Sequence, residues 1–218
     1  NTQTIISYMT QNGWPSDKII YIPNFVDEAK GLPLDRSMFD TPSGVPVILA
    51  LGRLHENKGF DVLLEALAAM PDVFLWLAGD GPQKQTLIRI SDNLKISDRV
   101  RFLGWRSDTN NLLAAADALI CPSRHEPLGN VILEAWVQGK PVRAAASDGP
   151  KELITKGKNG FLCEIDNPTN LADTIKVLLG DADLAEELAS EGRKTYESNF
   201  SKKIIVKQYM DFFDKLVN

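Results

Sequence analysis

Two cysteines and two histidines are all that the 218 residues offer as thiol or imidazole donors. Cys121 and Cys163 stand in apolar, strand-like runs without the spacing of a metal site. They read as buried thiols of a reducing compartment, not as a disulfide framework. His55 and His125 have no nucleophile and acid arranged with them and no third ligand, so neither a hydrolytic triad nor a metal centre is supported. No apolar run approaches the ~18 residues of a membrane span. No charge sign dominates either. The 24 Lys and Arg against 29 Asp and Glu leave a net charge of −5, which argues against nucleic acid or an anionic membrane as a partner of this chain. Internal repeats and low-complexity segments are absent. So is the G-x-G-x-x-G fingerprint, both after Leu51 and at Gly79-Asp80-Gly81-Pro82, and a nicotinamide site loses its usual support.

What is present is a regular alternation. With 44% apolar residues the chain is long enough for one substantial core. Near-continuous apolar strands are expected at 45–51, 73–78, 100–103, 118–121, 141–145 and 160–163. Amphipathic helical patterns lie between them at 60–70, 82–94, 108–116, 129–138 and 150–156. This is the pattern of an α/β, Rossmann-like parallel sheet with helices on both faces. Residues 170–179, 183–197 and 202–217 form a helical tail. Within it, Ile205, Tyr209, Phe212 and Leu216 make a stripe at helical spacing that reads as docked core. Ahead of the alternation come a short helix over 1–11, a strand over 18–22 and a Pro-bearing loop over 26–41.

Residues 118–142 organise the rest. A strand (118–121) enters a Pro/Ser turn (122–126) and then a helix, so the turn stands at a strand's carboxyl end, where open α/β sheets bind ligands. Backbone amides around Leu128, Gly129, Asn130 and Val131 begin that helix and form an anion site. Glu126 lies in the turn and Glu134 eight residues later, with Val131, Ile132, Ala135 and Trp136 anchoring the helix. From these residues alone, a site and the blander reading, a solvated Glu126 and a Glu134 that merely suits the helix, both stay open. The run Gly52-Arg53-Leu54-His55-Glu56-Asn57-Lys58-Gly59 ends the first strand. Its Arg fork and Lys point charge suit a diphosphate, and on the residues alone the competing reading is that these are merely solvated loop charges.

Glu126 and Glu134 followed by Ala135 and Gly139-Lys140-Pro141-Val142 resemble the paired-glutamate signature of retaining GT-B glycosyltransferases, family 4. Ile22-Pro23-Asn24-Phe25-Val26-Asp27 is similar to that family's interdomain linker, Gly52–Gly59 to its GR-x-x-x-x-KG run, and Ala78–Pro82 to its AG-x-GP turn. The resemblance extends from Ile22 to about Phe200. It implies one half of a GT-B fold: the end of an amino-terminal domain and a linker over 1–41, a nucleotide-sugar-binding domain over 42–199, and a carboxy-terminal helix over 200–218. It further implies transfer of a sugar from a UDP-, GDP- or ADP-sugar to an acceptor hydroxyl, with retention and without a metal or other cofactor. Arg53 and Lys58 would contact the pyrophosphate, Glu126 the sugar and Glu134 the ribose. The Gly104-Trp105-Arg106 loop would meet the base, where Trp105 either stacks on it or seals the helix below.

A sugar or lipid-linked acceptor would be held by a missing amino-terminal domain, with any membrane contact made there, and the location would be cytoplasmic or peripheral at the inner membrane face. The first residue is Asn rather than Met, which reads as a piece of a longer chain with little turnover alone. Rival readings are a nucleotide-sugar epimerase on the same fold, a retaining glycosidase, which would leave Arg53 and Lys58 without a task, and a non-enzymatic nucleotide-binding module. Two departures from the family's pattern stand out. Asp148 replaces the first Gly of its GG-x-x-E turn, and Arg143 occupies a strand position usually aliphatic. A buried Arg143 would need a carboxylate partner, and the residues leave open whether it faces the crevice or an open edge.

Overall fold

The structure, a computed structural model, describes residues 2–217; Asn1 and Asn218, which open the expected first helix and end the last segment, lie outside the described residues. Helix α1 (Gln3–Gln11) is followed by β1 (Val47–Leu51), α2 (Phe60–Ala68), β2 (Phe74–Ala78), α3 (Lys84–Asn93), β3 (Val100–Gly104) and α4 (Thr109–Ala115). Then come β4 (Ala118–Cys121), α5 (Asn130–Val137), β5 (Val142–Ala145), α6 (Asp148–Leu153) and β6 (Phe161–Cys163). The chain closes with α7 (Pro168–Gly180), α8 (Ala182–Asn199) and α9 (Lys202–Val217). All six strands are parallel, in the order β3-β2-β1-β4-β5-β6.

The strands are apolar on both faces, and side chains alternate between two cores. Ile48 and Ala50 of β1 pack with Leu63 and Leu67 of α2, Leu87 of α3 and Ile175 of α7. Val47, Leu49 and Leu51 pack with Leu112 of α4, Ile132 and Trp136 of α5, and Tyr196 of α8. The strand order reverses between β1 and β4, which pair Ile48 with Ala118 and Leu49 with Leu119. Successive strands lead away from that line in opposite directions, so the loops leaving β1 and β4 stand at the reversal point, where open α/β sheets bind ligands.

The expected strand over 18–22 does not form. Ser16–Lys18 is a 3-10 turn, and the residues after it are extended without a sheet partner. A run of Ile and Tyr makes a strand only when an edge takes up its backbone groups, and neither β3 nor β6 does so. Segment 26–41 instead straps onto the sheet. Arg36 donates to the Ala115 carbonyl and to Asp117 at 2.6 Å, and Trp76 Nε1 donates to Thr41 Oγ1 at 3.0 Å. Helix α6 starts two residues earlier than expected, at Asp148.

Two further expectations are corrected. In the tail stripe only Ile205 is fully buried; Phe212 is half-buried, and Tyr209 and Leu216 are exposed. The helical period is real, but the body lies under the start of α9 alone. Arg143 is buried in β5 at 1% exposure and has no carboxylate partner among the described residues. Its Nη2 donates to the Thr174 carbonyl, its guanidinium lies 4.2 Å from the Phe161 ring centre, and its Nε has no acceptor among the described residues. Burial pushes its pKa down to about 10.

Candidate functional site

The loop leaving β1 carries Arg53 and Lys58. Arg53 is exposed and makes no hydrogen bond or ion pair with the described residues. Lys58 ends a 3-10 turn (Glu56–Lys58) nucleated by His55, whose Nδ1 accepts from the Asn57 amide at 3.3 Å. Gly59 then opens α2 at φ 63, a left-handed conformation. A Cβ there would lie 2.2 Å from the Pro122 carbonyl oxygen, so only glycine lets the two loops touch.

The loop leaving β4 holds Glu126, buried to 9% exposure. Its carboxylate accepts from Lys58 Nζ at 2.6 Å, Ser123 Oγ at 3.3 Å and the Gly129 amide at 3.3 Å. Its backbone carbonyl accepts from the Gly149 amide at 2.7 Å, so the start of α6 braces the turn from behind. Gly129 (φ 76) leads into α5, whose first turn presents the amides of Asn130 and Val131. Lys58 has three N–H donors and spends one on Glu126, leaving donors for an anion.

Glu134 sits one turn into α5, half-buried, with no hydrogen-bond or ion-pair partner among the described residues. Burial pushes its carboxyl up to about 7. A half-buried carboxyl with no partner among the described residues, on the helix whose first turn presents those amides, can accept from neutral donors such as hydroxyls.

The Gly104–Arg106 loop is different. Trp105 is 76% exposed, which removes the reading in which it seals a helix. Arg106 is bound bidentately by Asp108, at 2.8 and 2.7 Å, and lies over Phe39, so its guanidinium is turned to structural work. Glu152, in the turn that resembles the family's GG-x-x-E, accepts from the amides of Gln3 and Thr4 and holds the start of α1.

Lys58 and Glu126 thus come into contact above the line between β1 and β4, and Arg53 stands on the same β1 loop. Sequence reasoning missed Arg124. Its Nη1 and Nη2 grip Asp61 at 2.8 and 2.7 Å, its Nη1 also donates to the Glu56 carbonyl at 2.7 Å, and its Nε donates to Asp166 at 2.6 Å. No spacing rule joins residues 63 and 42 positions apart. Among the described residues no group of three or more His, Cys, Asp or Glu is placed to hold a metal ion, and no helix is long and apolar enough to cross a membrane. A separate cleft of 840 Å³ lies among Tyr21, Glu152, Lys158, Asn159 and Phe212 and contains none of the residues expected to bind a donor.

Residues 34–195 match the family model for glycosyl transferases group 1. The chain is 40% identical over 210 residues to the lipopolysaccharide core biosynthesis glycosyltransferase LpsE of Rhizobium meliloti, covering 96% of this chain and 62% of that protein. It is 31% identical to the N-acetyl-alpha-D-glucosaminyl L-malate synthase of Bacillus anthracis, covering 89% of this chain and 53% of that one. Among solved structures, that of Anabaena Alr3699/HepE in complex with UDP-glucose superposes with a TM-score of 0.92 at 31% identity, over 99% of this chain and 62% of the other. The chain therefore spans between half and two thirds of the length of these relatives.

Proposed function

The chain belongs to the glycosyl transferases group 1, and from that premise we propose that the reversal point between β1 and β4 binds a nucleoside-diphosphate sugar for retaining transfer to an acceptor hydroxyl. The observation that carries the reading is the meeting of Lys58 and Glu126, 2.6 Å apart, over the line where the strand order reverses. The similarity to a fold solved with UDP-glucose bound supports the same ligand class.

In this reading the diphosphate lies between Arg53, Lys58 and the first amides of α5. When the bond between the anomeric carbon and the diphosphate oxygen breaks, negative charge grows on the leaving group. Lys58, held by Glu126, and the helix terminus are already in place to meet it, with Arg53 reaching in from the same β1 loop, and such preorganised charge stabilisation supplies much of the acceleration in many enzymes. The charge is met by side chains, without a divalent ion. Glu126 is held by three donors and directs its carboxylate at the sugar. Glu134 accepts from the ribose hydroxyls, and exposed Trp105 stacks on the base. The acceptor hydroxyl attacks from the face the diphosphate leaves, and the departing oxygen takes its proton. Residues beyond the 218 of this chain supply the acceptor site, in keeping with the greater length of the relatives.

Calorimetry of the chain with UDP, GDP and ADP, each with and without EDTA, tests this. Binding of one of them, unchanged by EDTA and weakened by Lys58→Ala, is expected. Binding abolished by EDTA refutes the metal-free part, and binding indifferent to Lys58→Ala refutes the site.

A further inference from the structure

The loops that carry Lys58 and Glu126 belong to different βα units, and little backbone joins them. The His125 amide donates to the Asn57 carbonyl at 3.1 Å, and Gly59 lies against Pro122. The firm connection is Arg124. It stands two residues before Glu126 and reaches three elements: the Glu56 carbonyl in the turn that ends at Lys58, Asp61 in the first turn of α2, and Asp166 in the connection between β6 and α7. Four hydrogen bonds tie up its guanidinium, at 2.6–2.8 Å. Of its five N–H donors one is left, on Nη2, so a bidentate grip on a phosphate would require dismantling the clamp. Asp61 is held below the usual carboxylate range: burial opposes this, and the Arg124 hydrogen bonds overcome it.

We propose that Arg124 is a positioning residue for the donor site, setting the register of Lys58 against Glu126 by tying the loop after β4 to the turn after β1. The inference rests on the donor reading above. It differs from an ordinary surface ion pair, which moves freely and contributes little, because the planar fork bridges two acids and a backbone carbonyl at once. Arg124 acts through Lys58 and touches no ligand.

The test is calorimetry of the chain with whichever of UDP, GDP and ADP it binds, at fixed ionic strength, with thermal unfolding of each variant alongside. Arg124→Ala is expected to weaken binding about tenfold. Combined with Lys58→Ala, it should weaken binding no further than Lys58→Ala alone, because the two act as one unit. Asp61→Asn supplies the second variant should Arg124→Ala fold poorly, and it carries an opposite sign under the rival explanation. It removes a negative charge near an anion site, so bulk electrostatics predicts tighter binding, whereas loss of the clamp predicts weaker binding. Unchanged or tighter binding in Asp61→Asn overturns the inference, as does full additivity of Arg124→Ala with Lys58→Ala, which would make Arg124 a direct ligand. In both cases binding by the parent chain, weakened by Lys58→Ala, leaves the donor reading standing. No binding of any of the three nucleotides by the parent chain overturns the donor reading and the inference with it.

Discussion

Glu134 gives the sharpest stability prediction, because the binding role proposed for it and its cost to the fold have opposite signs. Its carboxyl titrates near 4.5 when exposed and is pushed up to about 7 by burial, with no partner among the described residues to favour the charge. Between those values the folded chain keeps a proton that the unfolded chain has released. Stability contributed by this group therefore falls as pH rises from 4.5 towards 7, and the penalty is constant above that. The whole interval corresponds to about 3 kcal/mol, of which about 2.5 kcal/mol develops between about pH 5 and about pH 8. Glu134→Gln keeps the shape and removes the ionisation. The expected result is a variant stabilised relative to the parent by about 2.5 kcal/mol more at about pH 8 than at about pH 5. For a chain of this length that is a difference in Tm of roughly 5–10 °C. Comparing the two pH values cancels whatever the buried amide costs in its own right. Calorimetric or circular-dichroism melts of both proteins at the two pH values measure it. A Tm difference between variant and parent that is the same at both would show that Glu134 is solvated or paired, and the case for a dry carboxyl would fail.

The same carboxyl predicts how a donor should bind. If ribose hydroxyls donate to ionised Glu134, affinity for a nucleotide sugar, whose diphosphate diester does not titrate near neutrality, should rise about tenfold from about pH 6 to about pH 8. Glu134→Gln should flatten that profile, and a slope retained by the variant would assign the titration elsewhere. Arg143→Leu removes a buried cation with an orphaned Nε and should raise the urea midpoint, with a stabilisation of about 1–4 kcal/mol; a lowered midpoint would mean that the Thr174 and Phe161 contacts outweigh the cost of burial. Gly59→Ala should destabilise by at least about 2 kcal/mol, through left-handed strain and the Pro122 carbonyl oxygen 2.2 Å from the new carbon. An alanine variant that melts with the parent would show that the two loops separate at little cost.

Much of this molecule is legible in its sequence for a physical reason. Strands such as Val-Ile-Leu-Ala-Leu at β1 are covered on both faces, so burial writes itself into consecutive residues. Helices such as α5 keep their period because Ile132, Ala135 and Trp136 must all face one core. The placement of Lys58 and Glu126 at one reversal point follows from their positions after two strands of a parallel sheet. Pairing information is different in kind. The apolar residues at 18–22 have the composition of a strand and no partner, and the stripe on α9 has the right period with the body under only one end. Neither fact resides in the local residues. Arg124 is invisible for the same reason, since its partners lie in the turn after β1, in α2 and in the connection after β6 and meet it only when the sheet is assembled. Arg143 shows the converse: its sequence position marks it as anomalous, and only the packing around Thr174 and Phe161 shows how a strand tolerates it.

A crystal structure of the chain with a bound nucleoside diphosphate tests the central claim most directly. The account predicts the diphosphate above the line between β1 and β4, contacted by Arg53, Lys58 and the first amides of α5, with the ribose at Glu134. A diphosphate lodged instead in the 840 Å³ cleft lined by Tyr21, Glu152 and Lys158, with Lys58 and Glu126 untouched, would contradict it.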